Sequence, residues 1–97
     1  MLDRLTHADF AALIGEHFDL GSAAPGLELE LVEAAALGAS PSPGVRAPFS
    51  LVFRGPHAPL LPQQVYPLRH SRLGTLEIFL VPIGPDASGQ RYEAVFA

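Results

Sequence analysis

Apolar and polar residues alternate along most of this chain, and the period of alternation changes once. Phe10, Leu13 and Ile14 form an apolar stripe at helical spacing near the start. Thr6 stands at the N-cap position, Asp9 at the capping-box position three residues on, and Leu5 and Phe10 are spaced as a hydrophobic staple. Gly15 suits the stop, so a helix is expected over residues 6–14. A helix of that length is unstable by itself and must dock its stripe on something.

After Gly15 the period falls to two. His17-Phe18-Asp19-Leu20 alternates, and Leu27-Glu28-Leu29-Glu30-Leu31 does so more strictly, with the carboxylates outward. Glu33-Ala34-Ala35-Ala36-Leu37 reads as a continuation of that strand. Phe49, Leu51 and Phe53 share one face of the next strand, and Tyr66 and Leu68 one face of another, where Pro67 indicates an edge or a bulge. Leu76-Glu77-Ile78-Phe79-Leu80-Val81-Pro82-Ile83 and Gln90-Arg91-Tyr92-Glu93-Ala94-Val95-Phe96 form a closing hairpin around a turn at residues 84–89. Between strands, residues 38–46 are a Pro/Ser/Gly loop expected to be mobile. The three prolines of residues 55–62 preclude a regular element there, and that loop is expected to tuck Leu60 and Leu61 inside. The expected fold is mainly β: a small antiparallel barrel or sandwich of about six strands with one short N-terminal helix.

Composition narrows this further. Ninety-seven residues make a single domain, 1–97, that buries only about 60–65% of its unfolded surface. The absence of cysteine excludes disulfides and thiolate-ligated metals. The net charge is −4, there is no lysine, and the six arginines are scattered. No basic run exists to follow phosphates, which argues against a nucleic-acid partner. No stretch has the length of a membrane span, and Met1-Leu2-Asp3-Arg4 is not a signal peptide, so the expected location is the cytoplasm, with export as part of an assembly as the alternative.

Candidate chemistry is sparse. His7, His17, His57 and His70 show no metal-ligand spacing, and no metal or cofactor is expected. Glu28 and Glu30 lie side by side on an outer strand face, not across a cleft. None of the serines sits in a G-x-S-x-G elbow. His57, Tyr66 and His70 could line a pocket at the mouth of a barrel. The closing hairpin has large apolar residues on both faces, which marks Phe79, Val81, Tyr92, Val95 and Phe96 as candidate interface residues.

Two stretches, Leu2-Asp3-Arg4-Leu5-Thr6-His7-Ala8-Asp9-Phe10 and Pro48-Phe49-Ser50-Leu51-Val52-Phe53-Arg54-Gly55-Pro56, carry a resemblance together with Leu80-Val81-Pro82-Ile83-Gly84-Pro85 and Tyr92-Glu93-Ala94-Val95-Phe96. They resemble a family of short, uncharacterised bacterial proteins known only as a domain of unknown function. The resemblance brings no catalytic residues. It implies a gene context like that of small accessory proteins beside phage-tail-like or tail-fibre-like genes. The expected function is therefore a non-enzymatic structural or assembly protein. It would self-associate or dock on another chain, such as a phage-tail-like or filament component, through sheet edges and the apolar hairpin face. The alternatives are a small-molecule-binding β-barrel and, behind it, a small hydrolase.

Overall fold

A computed structural model describes residues 4–97; Met1 lies outside the described residues, as do Leu2 and Asp3, which open the first resembling stretch. Six antiparallel strands close into a barrel, with one short helix at its end. In chain order these are α1 (His7–Ala11), β1 (His17–Asp19), β2 (Glu28–Ala36), β3 (Phe49–Gly55), β4 (Gln64–His70), β5 (Gly74–Asp86) and β6 (Gly89–Phe96). The order around the wall is β1-β2-β3-β6-β5-β4, and β4 returns to β1.

Helix α1 starts as its sequence dictates. Asp9 accepts from the Thr6 backbone N–H at 2.8 Å and the Thr6 hydroxyl accepts from the Asp9 N–H, a reciprocal cap. It stops at Ala11, short of the expected Ile14. Gly15, at φ +92°, turns the backbone so that its N–H bonds Leu31 and the Glu16 carbonyl accepts from Leu31. This stretch thus extends the β1–β2 pairing, and Ile14 is left exposed.

The helix plugs one end of the barrel. Phe10 is fully buried with its ring 5.8 Å from those of both Phe49 and Phe96, which stack at 4.7 Å. Arg46 lies over Phe49 and Phe96 and donates to the Leu5 carbonyl at 2.7 Å. A His7 ring nitrogen is 3.0 Å from the Ala34 carbonyl, tying the helix to β2. At the other end, the Tyr92 hydroxyl accepts from the Leu61 N–H at 3.0 Å, and Tyr66 donates to the Pro62 carbonyl at 2.5 Å. Leu61 is tucked in beneath this loop; Leu60, expected inside beside it, is exposed.

The strand 28–36 continues through the alanines as expected, but with a bulge between Leu31 and Glu33. Leu29 and Leu31 face inward; one extra residue then shifts the parity, so Ala34 pairs with Leu51 and Glu33 stays outside. β5 carries a second bulge between Pro82 and Gly84 and changes partner part-way along. Its first half pairs with β4, from His70↔Gly74 to Gln64↔Leu80. Its second half pairs with β6, from Val81↔Glu93 to Asp86↔Gly89. The closing turn is therefore much tighter than the expected 84–89, with only Ala87 and Ser88 between the strands.

Asp86 anchors that turn. Arg54 grips it through Nε at 2.9 Å and Nη2 at 2.7 Å, while the N–H groups of Ser88 and Gly89 donate to its other oxygen at 2.8 and 3.0 Å. The Arg54 bonds, then the Ser88 N–H, hold the Asp86 carboxyl down to about 2 from an ordinary 3.8, against a smaller opposing effect of burial. A carboxyl depressed on folding stabilises fully above its unfolded value and loses that contribution as pH falls through its folded value. The urea midpoint is thus expected to drop between about pH 3.8 and about 2. Asp86→Asn flattens that drop when midpoints are measured across the same range; an unchanged slope would count against the turn anchor.

Candidate functional site

The polar clusters of the barrel satisfy one another. His70, with its side chain 2% exposed, places Nε2 2.6 Å from a Glu16 carboxylate oxygen. Arg72 completes the cluster, 2.8 Å from the other oxygen, and together these bonds hold the Glu16 carboxyl below its ordinary range. On the far side of the ring, Nδ1 receives the backbone N–H of Arg72 at 3.1 Å. Nε2 therefore carries the proton toward Glu16, and neither nitrogen is left to accept one from a substrate. A cleft of about 500 Å³ beside it is lined by His17, Asp19, Glu28 and Arg69. There Arg69 pairs with Asp19 at 3.2 Å, and His17 lies 3.5 Å from Glu28. Among the described residues no three His, Asp or Glu side chains converge as metal ligands would.

The three residues expected to line a mouth pocket do not meet. His57 lies at the hairpin tip, its Nε2 3.1 Å from the Asp86 carbonyl, whereas His70 pairs with Gly74. Those contacts fall at opposite ends of the 13-residue β5. Tyr66 is buried between them, with its hydroxyl committed to Pro62, and burial pushes its pKa up. Side chains fill the interior instead: Phe18, Leu29, Leu31, Phe53, Leu68 and Ile78 are all fully or almost fully buried.

The hairpin divides its five candidate interface residues between two faces. Tyr92 (1% exposed) and Phe96 (8%) point into the barrel, on the same side as Leu76, Ile78 and Leu80, and belong to the core. Phe79 (49%) and Val95 (63%) point outward, and Val81 is half-buried on the same outer face. Val65 (52%), cross-strand neighbour of Phe79, joins them. The alternation of Val65 with the inward Tyr66 and Leu68 is the signal that could have found it. On β3, by contrast, the outward Ser50 and Val52 are buried. The exposed apolar face thus belongs to β4, β5 and the end of β6.

Fold and site together define a small, side-chain-filled antiparallel barrel whose polar clusters are internally paired and whose outer wall exposes an apolar face. No helix among the described residues is long and apolar enough to cross a membrane. The chain belongs to the family described as Domain of unknown function (DUF6916), whose model matches residues 5–96. No curated protein and no solved structure matches it.

Proposed function

We propose that this protein is a non-enzymatic assembly module that docks on another protein chain through the outer face of β4, β5 and β6. The observation that carries this reading is the exposed group Val65, Phe79 and Val95, gathered on one wall. Large apolar side chains clustered on a surface lose their contact with water when a partner covers them. The paired state of the Glu16–His70–Arg72 cluster and the filled interior support docking over hydrolysis or ligand capture. Barrel closure shifts the weight from sheet edges to this face, and leaves unpaired backbone where β5 and β6 part. A bacterial tail-like or filament assembly, as the family resemblance implies, is a setting in which such a module would serve.

A photoreactive phenylalanine analogue placed at Phe79 in the source cells tests this. A discrete cross-linked adduct is expected from that position and not from the exposed Glu33 on β2, three strands away around the barrel. Val65→Asp with Val95→Asp abolishes the adduct while leaving the unfolding free energy within about 1 kcal/mol of wild type, as two surface substitutions do. Failure to cross-link from Phe79, or equal adducts from Glu33, would discard the docking face.

A further inference from the structure

We infer that the partner presents an extended segment with alternating apolar and basic residues, received where β5 and β6 part, and that it is not a second copy of this chain. The inference rests on the docking reading and gives it a chemistry. Two prolines establish the direction of the backbone. Pro67 sits opposite Glu77 across β4–β5, and Pro82 opposite Tyr92 across β5–β6. A proline has no N–H, so neither can belong to a pair that exchanges two hydrogen bonds. The bonded pairs are their neighbours: Tyr66↔Ile78 and Leu68↔Leu76 on one side, Val81↔Glu93 on the other.

By alternation, the peptide groups of Thr75, Glu77 and Phe79 point away from β4, toward the β6 side. The β5–β6 ladder ends at Val81↔Glu93, so no strand pairs with them there. Val95, two residues beyond Glu93, directs its own peptide groups back toward β5 by the same rule, because its β3 partner Ser50 belongs to the unbonded set. Backbone donors and acceptors therefore flank the parting on both sides, with Phe79 and Val95 above them. Such an edge is what strand addition uses.

Charge selects the occupant. Glu77 is exposed and Glu93 half-buried on this face, and neither makes an ion pair among the described residues. Three arginines pair with other carboxylates, Arg54 with Asp86, Arg69 with Asp19 and Arg72 with Glu16, while Arg91, two residues from Glu93, directs its Nε to the Gly84 carbonyl. The chain carries a net −4, and part of that surplus is displayed here. A second copy would set these carboxylates against their like, whereas arginine or lysine at alternate positions of a partner strand would meet them.

Short valine–arginine and valine–glutamate peptides of alternating sequence, titrated into the intact protein and followed by amide NMR, test this. The valine–arginine peptide is expected to shift the amides of Thr75, Glu77, Phe79 and Val95. It should bind about tenfold tighter than its acidic counterpart, and more weakly as salt rises. Methylating alternate backbone nitrogens of that peptide should abolish the shifts. Glu77→Lys with Glu93→Lys, confirmed as folded by thermal melting, should reverse the preference. Equal binding of both peptides, or shifts confined to other residues, overturns the inference. A concentration-dependent dimer dissolved by Phe79→Asp would overturn this partner chemistry and leave the docking face standing. Silence from both peptides, together with failed cross-linking from Phe79, removes both.

Discussion

Gly89→Ala is expected to destabilise the barrel by about 3 kcal/mol or more, at the upper end of what overpacking costs. A Cβ at this position would lie 1.9 Å from the Gly55 carbonyl oxygen and 3.1 Å from its carbon. Both are backbone atoms, so no rotamer change relieves the overlap. Gly55 pairs with Gln90 there, and relief requires β3 and β6 to separate at the hairpin tip. The same displacement would pull Arg54 from Asp86. Urea denaturation should show the loss directly, with Ser88→Ala in the exposed turn shifting stability by less than about 0.5 kcal/mol. A Gly89→Ala midpoint equal to that of wild type would show that the strands do not approach this closely.

Phe10→Ala should cost about 3–5 kcal/mol, the range for removing a large buried aromatic side chain. Phe10 is the fully buried residue of a five-residue helix and rests against both Phe49 and Phe96. So short a helix has no independent stability, so losing this contact also loosens the bonds from Arg46 to Leu5 and from His7 to Ala34. Ile14→Ala, at an exposed position of the same predicted stripe, should have little effect. A Phe10→Ala cost below about 1 kcal/mol would mean that the barrel end closes without the helix.

The elements most legible in the sequence were those whose chemistry is local. Thr6 and Asp9 specify their cap within one turn, and the alternation around Tyr66 and Leu68 delimits β4. The end of α1 was not legible, because the bonds that tie Gly15 and Glu16 to Leu31 on a different element turn the chain away at residues 12–14, before the expected stop. The hairpin misled in a specific way. β6 carries large apolar residues on both faces, so alternation separates Tyr92 and Phe96 from Val95 without saying which set faces inward. Closure decides that, by packing Phe96 against Phe49. The His70 cluster joins residues more than fifty positions apart, and no local pattern announces it. The wide spacing of the glycines and prolines over 84–89 suggested a long turn. Instead, a bulge at Ile83 absorbs the irregularity, and Asp86 closes a tight one.

The bulge between Leu31 and Glu33 bears on which changes of chain length this fold tolerates. Residue identity alone does not keep Glu33 in water and Ala34 against Leu51; the number of residues preceding them does. Through β2 the spacing is as constrained as the side chains, because losing one position exchanges the two faces of everything that follows. Residues 38–46 connect strands without belonging to any ladder and carry no such constraint. Insertions and deletions among relatives should therefore collect in that connection and avoid the strand that precedes it.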